Sequence, residues 1–301
     1  MNNYHEKENS CIEVFMSLGP VWHLWTPENF EIIFRNEDDY KSGMGIIGIC
    51  AKLFPDIILL TFEIMSNHLH IAASGREERL QEMFSTIRNF LARYCRNAGY
   101  TIDWKKFVPG LRQLKTIEEV RNVIIYDNKN GYIVHPEHSP FSYPWGANKY
   151  FFNPDCKAYA YEKMKPMGLR DRRELCHSRL ADNVCGIQVC NGCASPLSFC
   201  RIDLAEKLFR GAAHYFFKLG RSIESDKQIS KEIGGGVFYT DDELYAAVVL
   251  ISRKKYGNPV PSLLPPKDKI ELARAMRYDY NASDKQIQRM LRLEATIINS
   301  I

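Results

Sequence analysis

Apolar residues follow a helical period most clearly between residues 77 and 98. They recur there at intervals of three and four positions, the spacing of one buried helix face: Leu80, Met83, Phe84, Ile87, Phe90, Leu91, Tyr94 and Cys95. Gly99 follows directly and is well placed to end the helix. The pattern predicts one long amphipathic helix whose arginines lie mostly outside the apolar stripe.

Shorter apolar runs on the N-terminal side of that helix predict strands. Residues 14–18 are typical of a strand, and the β-branched run at 57–64 is typical of a buried one. Ser66-Asn67 predicts a turn, so residues 68–73 would return as the second strand of a hairpin. Together with the helices, these strands predict an α+β fold with an antiparallel sheet flanked by helices.

A second helix is predicted to begin at Thr116. Thr116 and Glu119 have the spacing of a capping box, in which the N-cap hydroxyl and the N3 carboxylate bind each other's backbone N–H groups. Ile117, Val120 and Ile124 form the apolar face of this helix. Asn130-Gly131 is the predicted stop.

The second half of the chain differs in character from the first. Residues 156–200 are basic and rich in Cys and Gly, whereas helical patterns resume at Ile202 and again after the N-cap signal at Thr240. Four prolines between 259 and 266 predict a stiff linker. The predicted division is an α+β domain, a basic Cys-containing connector, a helical region and a helix-turn-helix-like segment, over 1–155, 156–200, 201–258 and 267–301.

Length and composition indicate an ordinary globular protein. The chain has 301 residues, 45% of them apolar and 25% charged, which excludes a wholly disordered or fibrous chain. Apolar runs are too short for a membrane span, and residues 1–8 do not form a secretory signal. The sequence therefore predicts a cytoplasmic protein with no membrane partner.

Charge is unevenly distributed although the net charge is only +4. Residues 76–115 contain nine Lys and Arg against four acids. Such a patch suits phosphate binding, but on charge alone solvated helix faces are the favoured interpretation. Nine cysteines include one Cys-x-x-Cys pair, Cys190 and Cys193, without a second matching pair. This pattern favours reduced thiols over a structural zinc site.

Two pairs of side chains carry the candidate chemistry. His68 and His70 are two apart on a predicted strand, so their imidazoles share a face and could hold a divalent ion. Tyr126 and Asn130 are four apart on the second helix, so a phenol nucleophile would lie one turn from an amide ligand. Each pair has a common structural explanation, and neither identifies a site without the other.

Taken together, these residues resemble a known family. The segment 64–71, with two histidines around Leu69, is similar to the signature strand of HUH single-strand DNA transposases that use one tyrosine. The likeness is closest to the REP-associated tyrosine transposases, in which a long basic helix and then Tyr-x-x-x-Asn follow, and a Tyr-Pro-Trp stretch, here at 143–145, comes after. Three positions differ from that pattern: Ser66 and Gly131 stand where proline is usual, and Asp127 replaces an apolar residue.

The resemblance implies a catalytic domain over 1–155 with a ferredoxin-like sheet. It implies that His68, His70 and Asn130 hold Mg²⁺ or Mn²⁺ against a phosphodiester, which Tyr126 attacks to give a 5′-phosphotyrosine and a free 3′-hydroxyl. Imidazole ligands pair more readily with zinc, so the choice of Mg²⁺ or Mn²⁺ depends on the resemblance.

Single-stranded or hairpin DNA is the implied partner of such a nucleoid-associated enzyme. The residues expected to follow its backbone are basic side chains of the 76–115 patch: Arg88, Arg93, Arg96, Lys105, Lys106, Arg112 and Lys115. The C-terminal segment offers a contact to duplex DNA through Arg289 and Arg292. Two alternatives stay open, a DNA-hairpin-binding protein without catalysis and a helix-turn-helix regulator. The oligomeric state is also open, with a homodimer among the alternatives.

Overall fold

A computed structural model describes residues 2–27, 30–134, 142–232, 241–278, 280 and 282–298. Within these residues it also leaves undescribed the side chains of 2–4, 130–134, 223–232 and 241–243. Thr240, the predicted cap of a helix, lies outside the described residues. Among the helices in this part of the chain, none combines the length and the apolar character that crossing a bilayer requires.

The chain alternates helices and strands in its first half and is mainly helical afterwards. The first half contains α1 (Asn2–Leu18), β1 (Val21–Trp25), α2 (Glu37–Leu53), β2 (Ile58–Ile64), β3 (Leu69–Ser74), α3 (Glu77–Asn97), β4 (Gly110–Leu114) and α4 (Ile117–Val134). The second half contains α5 (Pro154–Lys163), β5 (Lys165–Pro166), α6 (Leu169–Cys176), β6 (Gln188–Cys190), β7 (Cys193–Ala194), α7 (Ile202–Lys207), α8 (Ala212–Glu232), α9 (Asp241–Tyr256), α10 (Pro266–Tyr278), α11 (Asp284–Leu291) and α12 (Ala295–Ile298).

The main sheet is antiparallel and four-stranded, in the order β2-β3-β1-β4. Its central pair, β1 and β3, comes from segments about fifty positions apart, with Trp25 opposite His70 and His23 opposite Ala72. The hairpin of β2 and β3 confirms the predicted strand pair at 57–73. The mixed α/β architecture and the helical C-terminal region are likewise as predicted.

The two faces of the sheet differ in polarity. Ile64 faces α2, where the absence of a side chain at Gly43 lets Phe34 and Ile64 approach the helix closely. α3 packs against α2 and buries the predicted apolar residues, among them Phe84, Ile87 and Phe90. This face is therefore apolar and forms a large part of the main hydrophobic core.

The other face of the sheet is covered by α4 and is polar. Thr61 projects from β2 and donates a hydrogen bond of 2.6 Å to the side chain of Asn128. Asn128 in turn donates to the Tyr215 hydroxyl of α8 at 2.9 Å, and all three residues are buried. These two buried hydrogen bonds therefore hold α4 and α8 in position over the sheet.

Two secondary-structure predictions from the sequence are wrong: the strand at 14–18 and the end of the second helix at Asn130-Gly131. Residues 14–18 belong to α1, because Cys11, Val14, Phe15 and Leu18 have helical spacing and turn one side toward the core. α4 continues past Asn130-Gly131 to Val134. A single glycine inside a helix costs only about 1 kcal/mol and does not by itself end the helix.

Residues 156–200, the predicted connector, pack onto α2. β5, β6 and β7 form a three-stranded sheet, and α6 and β7 contact α2. The cysteines of the connector are free thiols, and burial raises the pKa of Cys193 to about 11 and that of Cys176 to about 12. The predicted domain boundaries at 155 and 200 stay a prediction.

The C-terminal helices build a separate small core from α9, α10, α11 and α12, to which Ile32 of the first domain also contributes. Ser283 caps α11 through a reciprocal capping box with Gln286. The described part of the last helix is one turn long. Whether this unit contacts duplex DNA stays a prediction.

Candidate metal centre

The polar face of the sheet brings two histidines from different strands together. Trp25 is directly opposite His70, and His23 lies two positions earlier on β1, so His23 and His70 are diagonal neighbours on one face. Their rings stack with centroids 5.6 Å apart, and His23 Nε2 lies 3.4 Å from His70 Nδ1. The Trp25 ring occupies the space beside Gly110, where any Cβ would collide with it.

A carboxylate from α4 completes the group. Asp127 Oδ1 lies 3.3 Å from His23 Nε2 and 3.9 Å from His70 Nδ1. One potential ligand atom from each of these three residues lies within 4.8 Å of the others, and all three residues are buried. We call His23, His70 and Asp127 the metal centre.

The chemistry of these atoms fits a divalent metal ion. Among the described residues, neither oxygen of Asp127 has a hydrogen-bond partner, nor has His70 Nε2, although all three atoms are buried. Burying an unpartnered carboxylate is costly, and a bound cation would offset that cost. Burial lowers the pKa of His70 to about 3, which keeps the imidazole in the neutral form that binds metals. Two imidazoles and one carboxylate suit ions such as Mn²⁺, Fe²⁺ and Zn²⁺.

Tyr126 lies at the edge of this centre. Its ring meets the His70 ring edge to face, with centroids 5.3 Å apart, and the His23 ring at 6.3 Å. Adjacent helix positions point about 100° apart, so Asp127 faces the sheet whereas Tyr126 points along its surface. The tyrosine is 38% exposed, which leaves its ring accessible from solvent.

The predicted ligand set is brought together in part. His68 and His70 share a face as predicted, with ring centroids 4.9 Å apart, and both are buried. His68 Nδ1 lies 2.8 Å from the side-chain oxygen of Asn67, to which it can donate. The side chain of Asn130 lies outside the described residues, so its role as a ligand stays a prediction.

A basic groove of about 770 Å³ opens beside Tyr126, between α4 and α8. We call it the α4–α8 groove, and its walls carry more cations than acids: Arg112, Lys129, Arg210, Lys218 and Arg221 against Glu118. Lys129 and Lys218 are held in place, the first by Ser222 at 2.8 Å and the second by Glu118 at 2.7 Å. Phe217 exposes 62% of its side chain in this groove, next to Arg221.

The residues predicted to bind DNA are spread over the molecule. Arg112 lies in β4 and lines the α4–α8 groove. Lys115 follows β4 and precedes α4, and its backbone N–H donates to Glu119. Their contact with DNA stays a prediction.

The remaining predicted DNA-binding residues lie farther from Tyr126 in the fold. Arg88, Arg93 and Arg96 lie on α3, which packs beside α2 against the face of the sheet opposite to His70. Lys105 and Lys106 lie in the short helical turn before β4. These five cations do not line the α4–α8 groove.

Two residues of the metal centre were missed from the sequence. Asp127 follows Val120 and Ile124 on the buried stripe of α4, so an acid on an apolar stripe was an available signal. His23 shares one face of β1 with Val21 and Trp25, but its partner His70 is 47 positions away in the sequence. Comparisons with family models, with curated proteins and with solved structures found no match in any of the three.

Proposed function

We propose that this protein is a metal-dependent enzyme that cleaves and transfers single-stranded DNA through Tyr126. The observation that carries the proposal is the contact of an exposed tyrosine ring with His70, a member of a buried group with two imidazoles and one carboxylate. The sequence resemblance at 64–71 and at Tyr126 supports the same activity. DNA is the proposed partner, and a cytoplasmic, nucleoid-associated location goes with it.

We also propose that β1 to β4 with α2 and α3 form a ferredoxin-like unit. The chain order strand, helix, strand, strand, helix, strand supports this assignment. So does the sheet order β2-β3-β1-β4, with every neighbour antiparallel.

The proposed ligands are His23, His70 and Asp127. His70 was also one of the ligands predicted from the sequence. When bound there, Mg²⁺ or Mn²⁺ would neutralise charge on the non-bridging oxygens of the scissile phosphate. Asp127 supplies the negative charge that attracts the cation, and the two imidazoles supply nitrogen lone pairs. His68, beside His70, is then a neighbour of the site that helps to orient the His70 ring.

Tyr126 is the proposed nucleophile. Its hydroxyl oxygen forms a bond to phosphorus as the phenolic proton is lost, and the bond from phosphorus to the 3′-oxygen breaks. The leaving 3′-oxygen takes up a proton, so the products are a 5′-phosphotyrosine and a free 3′-hydroxyl. One phosphoester bond replaces another, and strand transfer therefore needs no nucleotide cofactor. The Lys129 ammonium lies 5.7 Å from the centre of the Tyr126 ring and favours negative charge on the attacking phenol.

The α4–α8 groove is the proposed binding site for the DNA strand. Its cations can follow the phosphate backbone, and Phe217 offers an exposed ring for base stacking. The groove is formed jointly by α4 of the first domain and by α8 of the helical region. Substrate binding in this proposal therefore needs both halves of the chain.

A covalent-adduct assay tests the proposed function. Wild-type protein, incubated with 3′-labelled hairpin oligonucleotides that carry single-stranded flanks, should form a denaturant-resistant, labelled protein–DNA adduct with Mn²⁺ or Mg²⁺. Tyr126→Phe should form none, whereas Tyr161→Phe, which changes another exposed tyrosine, should behave as wild type. A wild type that binds the hairpin but never forms an adduct would contradict the enzyme assignment and favour a DNA-binding protein.

A further inference from the structure

A second basic cavity lies between the first domain and the C-terminal helices. It measures about 410 Å³, and no residue of the metal centre or of the α4–α8 groove lines it. We call it the Arg35 pocket, and its lining includes Glu31, Arg35, Lys106, Tyr245, Arg289 and Arg292. The N-terminal segment after β1, the turn before β4 and the end of α11 thus converge on one cavity.

Arg35 is the buried charge of this pocket. Only 9% of the residue is exposed, and its Nη2 atom is buried with no hydrogen-bond partner among the residues that the structure describes. Its guanidinium lies over the Tyr100 ring, 3.7 Å from the ring centre, and its Nε donates a long bond of 3.4 Å to the Ile32 carbonyl. Burial lowers the pKa of Arg35, and the positive charge of Arg292 adds to the effect.

Positive charge around this pocket is not balanced by its acids. Burial lowers the pKa of Lys269 on α10, and the positive charge of Arg292 adds to the effect, so cations from several elements face one another. Glu31 is the acid of the lining, and its Oε1 accepts the backbone N–H of Asp103 at 3.1 Å.

The other nearby carboxylate, Asp39, is already engaged. It accepts hydrogen bonds from the hydroxyls of Tyr94 and Tyr100 and from the backbone N–H of Arg35. Converging cations around a partly desolvated cavity repel one another, and an anion in the cavity would relieve that repulsion.

We propose that the Arg35 pocket binds a phosphate group. Guanidinium groups present planar pairs of N–H donors that match phosphate oxygens, and Lys106 adds a mobile charge at the rim. The phosphate belongs either to a nucleic-acid backbone or to a small phosphorylated compound. The proposal is independent of the chemistry at Tyr126, because the two sites share no residue.

Isothermal titration calorimetry with inorganic phosphate, at constant ionic strength set by chloride, tests this site. Wild-type protein should bind one phosphate saturably, and Arg292→Gln and Arg289→Gln should each weaken binding by about tenfold or more. Arg274→Gln is the matched control, because Arg274 is an exposed arginine of α10 outside the pocket lining. Thermal unfolding of each variant without phosphate checks that the C-terminal unit remains folded.

Competition with an oligonucleotide separates the two sources of the phosphate. If short single-stranded DNA displaces phosphate, the pocket holds a backbone phosphate, whereas phosphate binding that DNA leaves unchanged assigns the site to a small phosphorylated compound. The proposal is overturned if wild type shows no saturable phosphate binding up to about 20 mM. It is equally overturned if Arg292→Gln and Arg289→Gln bind phosphate as tightly as wild type does.

Discussion

Replacing Asp127 with Asn should leave the stability of the metal-free protein unchanged or raise it. The same substitution should reduce the stabilisation that a bound metal ion provides. In the described part of the chain, both Asp127 oxygens are buried without hydrogen-bond donors, and His23 Nε2 lies 3.3 Å from Oδ1. An unpartnered buried polar group costs about 1–3 kcal/mol, and more when it is charged. At pH 8, the Asp127→Asn protein without metal should therefore be as stable as wild type or more stable by about 1–3 kcal/mol.

The same substitution removes the charged ligand of the proposed metal. At about 100 times the dissociation constant, Mn²⁺ should stabilise wild type by about 2.7 kcal/mol. If Asn weakens binding by about 100-fold, the stabilisation at the same concentration should fall below about 0.5 kcal/mol. Urea unfolding with chelator and with Mn²⁺ measures both quantities for each protein.

Asp39 provides the matched control, because it is an equally buried carboxylate whose oxygens are satisfied by Tyr94, Tyr100 and the Arg35 backbone. Asp39→Asn should lose about 1.5–3 kcal/mol of stability without metal and should keep the full response to Mn²⁺. The reasoning is refuted if Asp127→Asn destabilises the metal-free protein in the same way and still responds to Mn²⁺.

Three further substitutions test separate parts of the account. Hydrogen bonds from Arg121 lower the pKa of Glu8 from about 4.5 to about 2, so the pair stabilises the fold above pH 4.5 and is lost as pH falls toward 2. In urea unfolding, Glu8→Gln should lower stability by about 1 kcal/mol at pH 6 and match wild type near pH 2, and equal stability at pH 6 would contradict this. Phe217→Ala should weaken binding of single-stranded DNA by about 5–100-fold in a fluorescence titration without changing stability, and an unchanged dissociation constant would exclude base stacking there. Gly146→Ala places a Cβ 2.8 Å from the Phe62 carbonyl oxygen, so the urea midpoint should fall by the equivalent of about 1–3 kcal/mol, and an unaltered midpoint would show that the strand edge can shift.

The sequence predicted the elements whose signals are local. The helix over 77–98 and the hairpin over 57–73 match α3 and the pair β2 and β3 within a few residues, because apolar period and turn residues specify them directly. The Thr116 capping box is also present, with Glu119 bonded back to the N-cap. Residues 14–18 show the limit of this method, because a short apolar run fits either a strand or one side of a helix.

The metal centre depends on contacts that a single sequence does not encode locally. His23 meets His70 only through the register of β1 on β3. The cations of α8 lie beside α4 and Tyr126 because contacts of Asn128, Lys129 and Glu118 hold the two helices together. Register and helix placement come from tertiary packing, so the sequence could predict His70 and Tyr126 as candidates but not their neighbours.

Asp127 is the one residue of this group, besides His70, whose sequence position gives a local indication of the site. It departs from the family pattern because an acid replaces an apolar residue, and it follows Val120 and Ile124 on the buried face of α4. A buried acid is rare unless it is paired or binds a cation. The same residue that weakened the resemblance is therefore the clearest local indication of the metal centre.

Mass spectrometry of the protein–DNA adduct tests the central claim most directly. After reaction with a hairpin oligonucleotide and Mn²⁺, followed by nuclease and protease digestion, the account predicts a nucleotide 5′-phosphate attached to the peptide that contains Tyr126. The modification should be absent when chelator replaces Mn²⁺ and when Asp127 is replaced by Asn. A nucleotide attached to another tyrosine, or an adduct at Tyr126 that forms equally well without a divalent metal ion, would contradict the account.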